Sequence, residues 1–181
     1  MKCDICQGNI VTKTQQTYHY TESGLDNVYL KNVEVRVCRS CGEKNLRISH
    51  ILELHETIAR GVALQPCPLR GQDVRFLRKQ LGYSAKKWAT FLRIDVSTMS
   101  RWENGQQGMG PQSDALIRFL YFRLLDESKG KVTPDHVAAA SAAVSSACFL
   151  RVCVNMDNPA VFSYNTRAAG RSRNTGDHAL G

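Results

Sequence analysis

The sequence predicts an α+β protein of two domains, in which a small strand-rich module with one helix precedes an all-α bundle. Three observations carry this prediction. Apolar and charged residues alternate from Val28 onward, two Cys-x-x-Cys pairs flank that stretch, and only helical periodicity occurs between Gly71 and Lys129. The predicted boundaries are 1–62 for the first module, 63–70 for a linker, 71–130 for the bundle and 131–181 for a tail.

Composition and charge favour a folded protein with an anionic partner. The chain has 181 residues, 43% of them hydrophobic and 22% charged, which is ordinary for a globular domain. Its net charge is +8, and the range 61–130 carries eleven basic and six acidic side chains. A basic excess confined to one part of a chain directs attention to nucleic acid. No long uncharged apolar run and no leader pattern occurs, so we expect a cytoplasmic protein with no membrane partner.

The first module is expected to contain a strand pair followed by a helix. The alternation after Val28 is typical of a strand with one buried face. The Thr- and Tyr-rich stretch 10–20 is its expected partner. Helical spacing of apolar residues then predicts a helix over 45–60.

Two cysteine pairs predict a metal site in this module. Cys3 and Cys6 form one Cys-x-x-Cys pair, Cys38 and Cys41 form the other, and 31 residues separate them. Two such turns brought together supply four thiolates in a tetrahedron, which suits one structural Zn²⁺ per chain. Reduced structural cysteines or a redox dithiol are the alternatives. Four thiolates leave no open position, and no nucleophile–base pair or phosphate loop is evident, so we expect no enzymatic activity.

The middle of the chain predicts two short helices joined by a sharp turn. From Tyr83 to Gly105 it reads YSAKKWATFLRIDVSTMSRWENG, where Ser84 and Asp95 are candidate N-caps. A shared apolar set is expected to lock the two helices across each other: Trp88, Ala89, Leu92, Ile94, Met99 and Trp102. This spacing is typical of a DNA-binding helix-turn-helix, whose second helix lies in the major groove.

The run SxxxxAxxLxIxxSTxSRWENG resembles the Xre/Cro-type repressor helix-turn-helix. With the Cys-x-x-Cys and Cys-x-x-Cys-Gly-Glu module in front of it, the chain is similar to the MqsA antitoxin family, which carries a YgiT-type zinc finger. The resemblance covers about residues 1–125. It implies a homodimer held by the C-terminal helical domain, bound to palindromic operator DNA, with a zinc module that can grip a toxin.

Candidate DNA contacts follow from the predicted second helix. Its exposed face is expected to read bases through Val96, Ser97, Ser100 and Arg101, with Arg101 bridging guanine. Candidates for phosphate contacts are Arg75, Arg78, Lys79, Lys86, Lys87 and Asn104. The alternative is an ordinary solvated helix surface. Trp88 and Trp102 are expected in the core.

The sequence therefore predicts a dimeric transcriptional repressor, the antitoxin of a type II toxin–antitoxin pair that represses its own operon. The alternative is a stand-alone regulator without a toxin. The apolar helix from Ser113 to Leu125 is the expected dimer interface. In the tail, 137–154 is predicted as a weak helix and the residues beyond Pro159 as disordered.

Overall fold

The computed structural model describes residues 2–48, 50–129, 150–166 and 175–178. Among these residues, six strands form one sheet and five α-helices pack on it or behind it, which confirms the α+β class. The strands are β1 (Ile10–His19), β2 (Val28–Cys38), β3 (Lys44–Arg47), β4 (Leu150–Asn155), β5 (Asn158–Thr166) and β6 (Thr175–His178). The helices are α1 (Ile51–Leu64), α2 (Gly71–Gln80), α3 (Ala85–Leu92), α4 (Val96–Glu103) and α5 (Pro111–Lys129).

The predicted strand pair is confirmed as the antiparallel hairpin of β1 and β2. Gly24 closes the turn between them in the left-handed region, with φ of 79°, which glycine adopts without strain. Along β2, Val28 and Leu30 are fully buried and Tyr29 is only partly exposed, as the alternation requires.

Strand β2 pairs with two different strands along one of its edges. The sheet order is β1-β2-β4-β5-β6, and β3 also pairs with β2. β4 runs parallel to residues 28–31, whereas β3 runs antiparallel to residues 34–37. Between the two, Asn32 has a positive φ of 56°. Its amide donates to Asp157 Oδ2 at 2.6 Å, so this kink also anchors the β4–β5 turn.

The tail prediction is wrong wherever the structure describes the tail. Residues 150–155 form β4 rather than a helix, and residues 158–166 and 175–178 form β5 and β6 rather than disorder. The Ala- and Ser-rich stretch upstream dominates the composition and masks the strand pattern that begins at Leu150. The remainder of the predicted weak helix, with Cys148, lies outside the described residues.

Helix α1 lies on the β4–β5 hairpin. It begins at Ile51 and ends at Leu64, later than the predicted 45–60, because residues 44–47 pair with β2 as β3. Gly61 lies mid-helix at the contact: a Cβ there would meet Val152 Cγ1 at 3.0 Å. Tyr164 donates its hydroxyl to the Gly61 carbonyl at 2.6 Å. Gly61 therefore permits close approach, although the sequence suggests a domain boundary there. The "sheet half" below means residues 2–64 with 150–166.

Helices α2 to α5 bury their apolar side chains in a core that is continuous with that of the sheet and α1. Residues 71–125 are called the "helical half" below. Trp88 and Trp102 are 0% and 7% exposed, which confirms their predicted place in the core. Ser84 caps α3 as predicted, because its Oγ accepts from Lys87 N at 3.2 Å. Asp95 occupies the N-cap position of α4 but makes no side-chain capping bond there.

The predicted linker 63–70 does not resemble a free linker in the structure. Its first two residues end α1, and Gln65, Cys67 and Leu69 are buried. Cys67 is disulfide-bonded, so it is not a metal ligand. None of the helices in the described ranges has both the length and the apolar character needed to cross a bilayer.

Candidate functional site: a four-cysteine centre and an exposed helix pair

The structure brings the four predicted cysteines together. Their sulfur atoms all lie within 4.8 Å of one another. Cys3 Sγ is 3.7 Å from Cys41 Sγ, and Cys6 Sγ is 3.4 Å from Cys38 Sγ. A tetrahedral site with metal–sulfur bonds of ~2.3 Å requires sulfur separations of about 3.8 Å. The arrangement therefore fits a single metal ion held by four thiolates.

Two matching backbone turns present these sulfur atoms. In the first turn, Gln7 N donates to Cys3 O at 2.9 Å, and Cys3 N donates to Gly8 O at 2.9 Å. In the second, Gly42 N donates to Cys38 O at 3.1 Å. Gln7 and Gly42 both have a positive φ, 58° and 76° respectively. The same turn thus occurs twice, as two chelating knuckles require.

Gly8 is a site residue that the sequence reasoning missed. A Cβ at this position would overlap the Ser40 side chain and would lie 3.1 Å from Cys38 Sγ. Gly8 therefore lets the first knuckle approach the second. The available signal was a glycine two residues after the first Cys-x-x-Cys pair.

The two thiols of the second knuckle, Cys38 and Cys41, have very different pKa values. Backbone N–H groups of Cys41 and Ser40 donate to Cys38 and lower its pKa to about 6. For Cys41, the Glu43 N–H lowers the pKa, but Cys6, desolvation and the other sulfur atoms raise it more, to about 12. One thiolate forms readily here and a second beside it does not. A cation among the sulfur atoms removes this conflict, because it stabilises every thiolate at once.

The centre lies at the surface with its interior side covered. Cys3 and Cys38 are 3% and 2% exposed, whereas Cys6 and Cys41 are exposed. Four sulfur ligands fill a tetrahedral coordination shell, so a bound ion would have no open position for substrate or water. The chemistry that this centre offers is structural.

The second candidate site is the pair of helices α3 and α4. Arg93 takes the left-handed region with φ of 53°, and Ile94 N donates to Ala89 O at 3.1 Å. This sharp connection leaves only three residues between the helices. Ala89 and Met99 are fully buried between them.

The outward face of α4 is open and polar. Ser97, Ser100 and Arg101 are exposed, and Val96 is 46% exposed. Arg101 Nη2 donates to Thr98 Oγ1 at 3.1 Å, which holds the guanidinium along the helix. The structure thus places the four predicted base-reading residues on exposed positions of one short helix.

Four of the six predicted phosphate contacts are exposed, whereas Arg75 is half-buried and Arg78 is buried. Lys86 and Lys87 are exposed in the first turn of α3, and Lys87 Nζ lies 4.7 Å from the Tyr83 ring centroid. Lys79 is also exposed, at the end of α2. Asn104 is exposed too, but its Oδ1 accepts from Arg75 Nη2 at 2.5 Å.

Arg78 does not fit the predicted phosphate role. It is 8% exposed, and its guanidinium donates to both Glu103 carboxylate oxygens, at 2.6 and 2.8 Å. It also donates to the Tyr83 carbonyl at 2.7 Å. Arg78 therefore ties α2 to α4 from inside. Helical periodicity alone could not distinguish it from Arg75, because the acceptor lies 25 residues away.

Comparison with protein-family models, with curated proteins and with solved structures finds no match for this chain.

Proposed function

We propose that the protein is a dimeric, sequence-specific DNA-binding repressor with a structural Zn²⁺ in its sheet half. In this proposal α3 and α4 form a helix-turn-helix, and α4 enters the major groove. The observation that carries it is the exposed face of α4, formed by Ser97, Ser100 and Arg101 on a helix fixed from behind by Met99 and Trp102. A rigid helix with an uncovered polar face is what major-groove reading requires.

Each exposed residue has a separate role in this proposal. Arg101 donates two parallel hydrogen bonds to guanine O6 and N7, after it releases Thr98. Ser97 and Ser100 donate to or accept from base edges, and Val96 contacts a thymine methyl. Lys86 and Lys87 contact phosphate, which sets the position of α4 without reading sequence.

Zinc is the ion that the four-cysteine centre favours. Soft thiolate ligands in a closed tetrahedron suit Zn²⁺ better than Mg²⁺ or Ca²⁺, which prefer oxygen ligands. The residues that would hold it are Cys3, Cys6, Cys38 and Cys41. Its role would be to hold the two knuckles together at the end of β2.

A dimer would place two copies of α4 on a palindromic operator. Single helix-turn-helix units read few base pairs, so two copies are normally needed for useful affinity. The expected interface is α5, where Leu116 is 41% exposed and Phe119 is 47% exposed. Apolar side chains of this size on a helix surface favour a protein contact.

The biological role that fits the family resemblance is an autoregulating antitoxin whose residues 1–62 grip a toxin. The stand-alone regulator remains a second candidate, and one observation favours it. The β4–β5 hairpin already pairs with residues 28–31 of β2 and covers α1. Part of the module that a toxin would contact is thus occupied by the chain itself.

The DNA proposal is tested by selection of duplexes from a random library with the full chain, followed by titration at several salt concentrations. We expect Arg101→Ala to cost ~1–3 kcal/mol per half-site on the selected duplex and much less on a scrambled one. We expect Lys86→Ala to weaken both duplexes equally and to lower the salt slope by about one. Failure to enrich any sequence would overturn the proposal. An equal loss on both duplexes for Arg101→Ala would make Arg101 a phosphate contact instead.

A further inference from the structure

The segment between α1 and α2 is buried, although two prolines and its position predict a linker. Gln65, Cys67 and Leu69 are 3%, 3% and 6% exposed. Pro66 and Pro68 lack backbone N–H donors, so this segment depends on other parts of the chain for its hydrogen bonds.

Arg118 of α5 supplies the donors. Its side chain is fully buried, and its guanidinium donates to the carbonyls of Ala63, Gln65 and Cys67 at 2.7, 2.7 and 2.6 Å. A guanidinium has five N–H donors in a rigid planar fork, which lysine cannot reproduce. One side chain from the helical half therefore holds three carbonyls, one in the last turn of α1 and two in the connecting segment.

Asp114 completes this arrangement. Its Oδ1 accepts from Arg118 Nε at 2.6 Å, and its Oδ2 accepts from Leu69 N at 2.5 Å. The carboxylate compensates the buried positive charge and also holds the end of the segment. Removal of either partner would leave the other charge buried and unpaired, which is strongly unfavourable.

A second connection joins the two halves near the surface. Arg70 Nη1 donates to Asp26 Oδ1 at 2.6 Å, and Gln72 donates to the same oxygen. Asp26 lies in the loop between β1 and β2, whereas Arg70 and Gln72 lie at the start of α2. Arg70 also binds Asp73 of α2, with Nε 3.2 Å from Oδ2.

We propose that the Asp114–Arg118 pair is a clasp that makes the sheet half and the helical half one cooperative body. With the clasp closed, segment 65–70 is not a hinge, and a ligand or partner that stabilises the sheet half also stabilises α3 and α4. The clasp thus couples the halves regardless of what α4 binds. As a consequence, binding of a ligand or partner to the sheet half changes the stability of α4. The coupling passes through the backbone of residues 63–67, which Arg118 holds.

The test follows urea unfolding of the full chain with two probes. Fluorescence of Trp88 and Trp102, the two tryptophans of the chain, reports the helical half. Hydrogen exchange of β1 and β2 amides, measured by mass spectrometry, reports the sheet half. The variants are Arg118→Met, which removes the fork, and Arg118→Lys, which keeps only the charge. The control is Arg123→Met, an exposed arginine on the same helix.

We expect one shared midpoint for both probes in the unmodified protein and in Arg123→Met. We expect the two midpoints to separate in Arg118→Met, with a smaller separation in Arg118→Lys. Separate midpoints in the unmodified protein would overturn the proposal, as would a shared and unshifted midpoint in Arg118→Met. If Arg118→Met does not fold, the proposal is tested by ¹⁵N relaxation of the unmodified protein, which measures the rotational correlation time of each half. A single rotational correlation time for both halves supports the clasp, and two different times overturn it.

Discussion

The two ends of β2 are stabilised by different physics. At the Cys38 end, within 2–9 and 38–43, the buried side chains are Cys3 and Cys38. At the other end, Val28 and Leu30 are fully buried where β2 pairs with β4. If a metal ion binds the four sulfur atoms, order at the first end will depend on that ion, whereas order at the second end depends on apolar burial. We therefore expect metal removal to disorder the Cys38 end of β2 more readily than the Val28 end.

The largest effect is expected from Cys38→Ser. Loss of one of four ligands should reduce bound metal from one ion per chain to nearly none, and a structural zinc supplies on the order of 10 kcal/mol of apparent folding free energy. Elemental analysis and amide exchange over 2–9 and 38–43 measure these changes. The control is Cys153→Ser, a buried cysteine outside the cluster. If amide protection over 2–9 and 38–43 persisted after the metal was lost, the contrast between the two ends of β2 would disappear.

Leu77→Ala should produce the next largest effect, in the helical half. Leu77 is fully buried in α2, and truncation of such a leucine costs ~2–5 kcal/mol. We expect a lower urea midpoint by tryptophan fluorescence and an unchanged metal content. Leu52→Ala is the matched control, because Leu52 is 83% exposed. A loss of metal in Leu77→Ala would show that the centre also depends on the apolar core.

Gly61→Ala tests how closely α1 packs on the tail hairpin. The added Cβ would lie 3.0 Å from Val152 Cγ1 and 3.3 Å from Phe162 Cδ2. Overpacking costs ~1–3 kcal/mol, which should exceed the gain of about 1 kcal/mol in helix propensity. The free energy of unfolding should fall, whereas in Gly108→Ala, where a Cβ meets open space, it should hardly change. A more stable Gly61→Ala variant would mean that the hairpin can move away from α1.

A smaller, pH-dependent effect is expected at His55 of α1, which contacts Tyr20 at the end of β1 and Phe76 of α2. Burial lowers the pKa of His55 from its ordinary value of 6.5, and its Nε2 lies 2.8 Å from Tyr20 Oη. The folded protein therefore favours neutral histidine, and the unfolded chain binds the proton first as the pH falls. The stabilisation is complete above about pH 6.5 and is lost as the pH falls through the lower folded pKa.

The measurement for His55 is the urea midpoint at about pH 7.5 and about pH 5.5. We expect the midpoint to fall on acidification, and to fall less in His55→Gln, which cannot titrate. An equal fall in both proteins would assign the pH dependence to other groups.

Local patterns predicted most of what is local in this molecule. The knuckles at Cys3 and Cys38, the strand from Val28 and the Ser84 cap each depend on residues close in sequence, and the structure contains them. Arg78 and Arg118 could not be assigned in this way. Each has one acceptor nearby, Tyr83 O for Arg78 and Asp114 for Arg118, but the other acceptors lie 25 and more than 50 residues away. Local patterns therefore do not indicate that these arginines are buried.

The prediction of helix and disorder in the tail was wrong for a related reason. Whether a short apolar run becomes helix or strand depends on what is available to pair with it, and the edge of β2 lies far away in the chain. The role of Gly61 also depends on a contact that is distant in the sequence. A glycine shortly before Pro66 and Pro68 favours a boundary until the side chain that approaches it, Val152, is known.

The pairing of β2 with β4 has a consequence for biosynthesis. Asn27 donates its side-chain amide to the carbonyl of Leu150, 123 residues later. At ~5–20 residues per second, a ribosome needs roughly 6–25 s to make that interval. During this time residues 28–31 of β2 present an unpaired edge, since β4 does not yet exist. A nascent chain is thus open, for seconds, to strand pairing with other chains, and β4 ends that exposure when it emerges.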